Sequence, residues 1–451
     1  MIGGTDALAP LATPTGRLVL AAVGVLLVAV IGRELRRVPP RLLVLMAAAF
    51  IDMLGLFFVV PLVPFYVEQY AGDGVTLPLV GEIGIGVLNG LMVASYTIAQ
   101  TFSAPRWGQL SDRIGRRAVL MIAVTASACA FGILAIADSL WLLLLSRLVQ
   151  GLGGGTVGVI QAYVADTVAP KERARALGWL SASTNLGVAI GPALGALLVA
   201  LGDVDLLPGD AVWQLGGSAP GLGAALVCLA NLAFIRMVLP ESRPRTTAPR
   251  TTPVVTARAA AWTAITHIGA PASRMLWTYG IVIGASQGIH TVLAFFLDDR
   301  LGIGEDSIGY VYMYIGAISM LARILLLGRA VDRIGEGRLA SYGIALIAAG
   351  LCWISFVDSV GDLAGAVALL PLGASFTFPC VSALLSQIVH DDDRGLYLGL
   401  QQSFGNASRL CAPLLYGWAY DSLGHASPFR IGSLLVLATL ALALGLPRRA
   451  R

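Results

Sequence analysis

Charge is scarce in this chain. Only 12% of its 451 residues are Asp, Glu, Lys or Arg, and Lys171 is the sole lysine among 30 basic residues. A soluble domain carries about 25% charged residues, so a water-facing surface over most of this chain is excluded. Histidine is also sparse, with four copies, and the five cysteines (Cys129, Cys228, Cys352, Cys380, Cys411) show no metal-ligand spacing and no obvious partners. They read as free, buried thiols, and no metal site is expected. The Gly153–Gly155 run lies inside a predicted membrane helix and lacks the Lys-Ser/Thr of a phosphate-binding loop. With no nucleophile–base cluster either, the sequence offers no enzyme and asks for no cofactor. A net charge of +4 is not a nucleic-acid signal here, because the positive residues sort by membrane side.

What fills the chain instead is apolar. Hydrophobic residues make up 57% of it, and the mean hydropathy is +0.80. Long apolar runs separated by short polar breaks predict spans near 17–32, 42–63, 83–104, 118–137, 140–165, 177–201, 221–239, 275–297, 307–327, 339–357, 363–388, 396–420 and 429–447. Lipid supplies no partner for a bare backbone, so spans of this length are helices; barrel strands would be nearer ten alternating residues. The chain is an all-α membrane protein whose first partner is the bilayer.

Two charged segments organise it. GQLSDRIGRR at 108–117 returns as GRAVDRIGEG at 328–337, each copy between apolar runs, so a charged, glycine-bounded hairpin occurs once per half. A second repeat relates 177–195 to 398–416, with Gly178, Asn185 and Pro192 matching Gly399, Asn406 and Pro413. If the 105–117 turn is cytoplasmic, 24 of the 30 basic residues fall on the cytoplasmic side, three outside and three (Arg147, Arg323, Arg409) within spans. The domains expected are residues 1–40, an extra transmembrane segment with a basic loop; 41–240, a six-helix half; 241–272, a mobile cytoplasmic linker rich in Pro, Thr and Arg; and 273–451, a second six-helix half with a short basic tail. This places the C-terminus in the cytoplasm and the N-terminus outside. Residues 17–32 are short enough to lie on the membrane surface as an alternative.

Four motifs resemble those of the major facilitator superfamily. Gly108-x3-Asp112-Arg113-x-Gly115-Arg116-Arg117 is similar to the loop motif between its helices 2 and 3, and Arg147-x2-Gln150-Gly151 to its helix 4 motif. Gly178-x8-Gly187-x3-Gly191-Pro192-x2-Gly195 resembles its helix 5 antiporter motif, departing where Ala196 replaces a final glycine. Asp52-x2-Gly55-x5-Pro61-x2-Pro64 is similar to the opening of the tetracycline and multidrug:proton antiporter branch. The resemblance covers roughly 41–447 and implies a major facilitator fold. That fold has two six-helix bundles related by a pseudo-two-fold axis along the membrane normal, here preceded by an extra N-terminal hydrophobic helix. It also implies that Asp112 contacts the N-terminus of helix 11, near 396, in one state, as a latch between halves. In the second copy Gly328, Asp332, Arg333 and Gly335 are kept, but Glu336 and Gly337 replace the two arginines.

Physical reasons accompany these motifs. Gly108 and Gly115 suit a chain reversal as permissive backbone points, while Gly178, Gly187, Gly191 and Gly195 suit close helix packing, with Pro192 able to kink the span. Asp52 is the one carboxylate well inside a predicted span, where a charge is usually functional. Counting along helices puts it roughly 16 Å from the cytoplasmic side, and Arg147 about 20 Å, close enough in depth for pairing. Proton coupling is therefore assigned to Asp52 and Arg147, with His290 as a second candidate. Arg409 shares its helix with Gln401 and Asn406; with Asn89, Gln150, Asn185 and Gln287 these are the candidate cavity residues. Arg323 has a plausible snorkelling route to the cytoplasm.

Taken together, the expectation is a monomeric secondary transporter in the inner or plasma membrane. It would export a small amphiphilic drug or metabolite against inward proton flow, and so contribute to antibiotic resistance. Two alternatives stay open: a carrier for an organic anion or other metabolite using Arg147 and Arg409, and a non-transporting membrane receptor on the same fold.

Overall fold

The computed structural model describes residues 40–72, 74–77, 81–154, 156–168, 173–202, 218–241, 257–305, 307–390 and 393–443. The 17–32 segment, the linker residues 242–256 and the basic tail from 444 lie outside the described residues.

The first crossing is α1 (Pro40–Val59), a 3₁₀ turn at Val60–Leu62 and α2 (Val63–Ala71). Pro61 and Pro64 explain the break, since neither has an N–H to donate. An antiparallel ribbon not anticipated from hydropathy, β1 (Gly74–Leu77) with β2 (Gly81–Gly84), leads into α3 (Ile85–Ile114). Next come α4 (Arg116–Ala135), α5 (Leu140–Gly153), α6 (Thr156–Thr167), α7 (Arg173–Gly202) and α8 (Ala219–Val238). Within the expected mobile linker, α9 (Ala257–Thr266) is helical, and the Trp277 indole N–H donates to its Ala264 carbonyl at 2.9 Å. Then follow α10 (Pro271–Leu301), α11 (Ile308–Leu321), a π-turn at Ala322–Leu327 that holds Arg323, α12 (Gly328–Ile334), α13 (Glu336–Ile354), α14 (Val360–Ile388), α15 (Arg394–Leu423) and α16 (Ser427–Ala443).

Joined across their short breaks, these helices make six crossings before α9 and six after it. Among the described residues nine helical stretches are long and apolar enough to span a bilayer, and Ser183–Val199 and Ser427–Leu442 are shorter apolar ones. The remaining crossing, α15, is more polar because it carries Gln401, Gln402, Ser403, Asn406, Ser408 and Arg409. Large apolar side chains such as Trp141, Leu226, Met237 and Leu434 are exposed, as lipid-facing residues should be. The free thiols of Cys228 and Cys380 are buried, whereas Cys129, Cys352 and Cys411 are exposed rather than buried as expected.

Both charged hairpins turn on one residue. Gly115 (φ 101°) separates α3 from α4, and Gly335 (φ 82°) separates α12 from α13, conformations that a side chain would strain. Gly108, expected to share that duty, is helical instead: α3 continues to Ile114, keeping its backbone bonded beyond the apolar stretch.

The glycines of α7 bring two partners together. A Cβ on Gly187, Gly191 or Gly195 would collide with Phe50 and Met53, Phe57, or Phe58 of α1, so the series seats α1 against α7. In the second half Gly280, Gly284 and Gly288 of α10 do the same against Ser408, Ala412 and Tyr416 of α15, with the small residues on the opposite helix.

Between the halves, α3 meets α15 and α7 meets α11. Gly90 lies on the backbone of Pro413, and Gly309 on that of Pro192, so Gly90 and Gly309 are equivalent and 219 positions apart. The hairpin glycines Gly115 and Gly335 are 220 apart. The difference of one residue falls across the π-turn at Ala322–Leu327, a structure that accommodates one extra residue per turn.

Candidate functional site

The helix that carries Arg147 and Gln150 is not continuous. Three successive glycines have low helix propensity, costing about 1 kcal/mol each, and the run expected inside a helix instead interrupts it: α5 stops at Gly153 and Gly154 is extended. Carbonyls freed by such a break need partners in a membrane. Side chains of α3 supply them, with Ser103 Oγ donating to Gly151 O at 3.1 Å and Trp107 Nε1 to Leu152 O at 2.7 Å.

Beside the break is a cavity lined by Asp52, Met53, Leu56, Tyr96, Gln100, Ser127, Phe131, Gln150, Gly153 and Gly154. Its volume is about 30 Å³, close to one water molecule's share of the liquid. Asp52 and Gln150, both named from the sequence, therefore meet here. Gln150 is buried with Oε1 lacking a partner. Gln100 Nε2 donates to the Tyr96 hydroxyl at 3.1 Å, leaving that hydroxyl's own proton for another acceptor.

Arg147 is 3% exposed; Nη2 donates to Ser146 Oγ at 3.3 Å and Nε has no partner. Tyr96 shares that cavity with Asp52 and is within electrostatic reach of Arg147 and Arg409, and Tyr66 is within reach of Arg147. A tyrosine in an apolar helix reads as packing, so Tyr96 carries no signal of its own in the sequence.

Arg409 Nη1 donates to Asn406 Oδ1 one turn earlier at 2.9 Å, which holds it toward the middle of α15. The other candidates are dispersed. Asn89 is fully buried and its Nδ2 donates to Thr291 O at 2.6 Å, tying α3 to α10 across the halves. Gln401 Nε2 donates to Ser382 Oγ at 2.6 Å, tying α15 to α14. His290 lies against Tyr312, ring centroids 5.3 Å apart, and is not among the residues lining the Asp52 cavity. Gln287 is exposed and Asn185 half-buried.

At the first hairpin Asp112 pairs with Arg116 at 2.7 Å and is 59% exposed, so its partner in this conformation is its own hairpin and not α15. Arg116 also bonds to Ser111, and Arg117 to the Arg236 carbonyl. The Glu241 carboxylate accepts from the Arg117 backbone N–H at 3.1 Å and covers Gly115, placing a negative charge at the N-terminus of α4. In the second hairpin Glu336 supplies that charge from within α13 itself, which gives its substitution for arginine a physical reason. Arg113, Asp332 and Arg333 are exposed, as is Gly328.

Twelve crossings among the described residues, in two bundles, with a discontinuous helix beside an intramembrane carboxylate and charged hairpins on one face, define a multi-pass membrane carrier. The chain belongs to the Major Facilitator Superfamily, whose family model matches residues 45–361 and 276–451. It is 28% identical over 414 residues to the class C tetracycline resistance protein of Escherichia coli, covering 88% of this chain and 95% of that one. It is 23% identical over 436 residues to major facilitator superfamily domain-containing protein 10 of Mus musculus, covering 88% and 90%. Among solved structures, the human organic anion transporter MFSD10 (TETRAN) superposes with a TM-score of 0.64 at 21% identity, covering 90% of this chain and all of that one. The nucleoside transporter NupG gives 0.63 at 14%, covering 90% and 98%. The chain is a transporter of this type and not an enzyme.

Proposed function

We propose that the protein is a monomeric proton-coupled antiporter that exports a small amphiphilic drug or metabolite across the inner or plasma membrane. The observation that carries this reading is the placement of Asp52 in a water-sized cavity with Tyr96, Gln100 and Gln150, against the break at Gly153–Gly154. A carboxylate there gains or loses a proton as water and neighbouring charge change. Positive charge concentrated around the hairpins argues that this face is cytoplasmic, with the C-terminus cytoplasmic and the N-terminus outside. Residues 41–240 and 273–451 then form halves that rock about the centre, joined by 241–272. Protonation of Asp52 from outside weakens its hold on its neighbours, the halves rock, and deprotonation inside resets the site. The resemblance to tetracycline resistance proteins supports export and a role in antibiotic resistance.

In proteoliposomes, Asp52→Asn is expected to abolish efflux driven by an inward proton gradient while leaving the protein folded. Unchanged gradient-driven efflux in that variant would sink the proposal.

A second reading draws on the two arginines that act on Tyr96 together with Asp52. Two cations against one carboxylate suit an anionic substrate, and one structural neighbour is an organic anion transporter. Competition by simple organic anions, lost in Arg409→Ala, would favour this reading over export of neutral or cationic compounds.

A further inference from the structure

At the face opposite the charged hairpins a carboxylate crosses between the halves. Asp421, near the end of α15, accepts hydrogen bonds from two backbone N–H groups at the start of α3: Gly86 N at 3.0 Å to Oδ1 and Val87 N at 2.9 Å to Oδ2. The first N–H groups of a helix have no partner within it and carry its positive end, so a carboxylate in that position is a strong, directional cap. The sequence makes room for it. A Cβ on Gly84 or Gly86 would strike the Asp421 carboxylate, and Gly417, one turn earlier, rests on the Gly86 backbone.

The equivalent interface on the other side of the pseudo-axis packs, among the described residues, on small side chains. There Gly309 meets Pro192 and Ala196, and Gly316 meets Ala189, all through backbone or methyl contacts. Around Asp421 lies a cavity of about 720 Å³ whose lining includes Glu68 of α2, Glu82 of β2, Asp298 and Asp299 of α10, and His425. His425 Nδ1 lies 2.9 Å from Asp299 Oδ2 within one half, whereas the Asp421 cap acts across the two halves.

We propose that Asp421 is a latch that holds this face closed by capping α3 from the opposite half. It releases when the halves rock to open the cavity to the outside. The inference rests on the rocking motion proposed above. Its test uses the full chain in nanodiscs with the native cysteines replaced. Spin labels are placed at Gln69→Cys and Gly361→Cys, exposed positions on the two halves at this face.

Asp421→Ala is expected to raise the ratio of long to short inter-label distances about tenfold, and Asp421→Asn, which keeps one acceptor oxygen but no charge, by less. Asp358→Ala, which breaks the exposed pair with Arg300 inside one half, should leave the distribution unchanged. Unaltered distances in both folded Asp421 variants overturn the latch, as does an equal shift in Asp358→Ala. The outcome is separate from that of the efflux assay: a latch that releases while Asp52→Asn still transports would leave the gate standing and remove the proton coupling.

Discussion

At Asp52 the chain keeps a carboxylate where a central charge is disfavoured by about 2.5 to 3.5 kcal/mol. Its surroundings offset part of that cost with uncharged hydrogen-bonding groups, Tyr96, Gln100 and Gln150. The Tyr96 hydroxyl accepts from Gln100 at 3.1 Å and lines the same cavity as Asp52. Tyr96→Phe is expected to lower gradient-driven efflux about tenfold, a loss of about 1.4 kcal/mol, and to alter its pH profile without lowering thermal stability. Efflux rates at several external pH values, beside a melting curve, check this. Asp52 and Gln150 were legible in the sequence because polar atoms in an apolar run need a reason. Tyr96 was not, since its ring belongs in a membrane and only the fold shows where its oxygen points. Glu241 escaped for another reason: its partner, the Arg117 backbone, is 124 positions away.

Among the elements, α7 sets the position of α1, and so of Asp52, through its glycines. Gly191→Val places a side chain against Phe57 and the Leu54 carbonyl, and is expected to reduce both efflux and melting temperature. Gly132→Ala in α4 meets nothing within 4 Å and should keep transport while gaining up to about 1 kcal/mol from helix propensity, read from the same melting curves. The number and order of the crossings follow directly from hydropathy, as spans and helices correspond along 42–443. Breaks within crossings were harder to foresee. Composition alone does not say whether a glycine run packs closely or interrupts a helix, and at 153–154 the outcome depends on Ser103 and Trp107 being present to bond the released carbonyls. The helix α9 was hidden by a linker composition averaged over 34 residues, from 240 to 273, of which its ten apolar-rich residues are a minority.

For the molecule as a whole, contact between the halves at the Asp421 face goes with an exposed Asp112 at the hairpin face, the pattern of a carrier closed on one side. Spin labels at Gln109→Cys and Gly399→Cys, across the halves at the hairpin face, should therefore move closer under conditions that drive labels at Gln69→Cys and Gly361→Cys apart. Independent variation of the two distances would contradict a rigid rocking of halves. The π-turn at Ala322–Leu327 bears on how such halves could ever be exchanged. One residue of an α-helix turns it by about 100°. The extra residue therefore lets Gly309 keep its seat on Pro192 while Asp332 and Gly335 still emerge on the same side as their counterparts in the first half. A chimaera that grafts the second hairpin onto α3, or the first onto α11, inherits a helix whose two ends are out of phase unless those six residues travel with the graft.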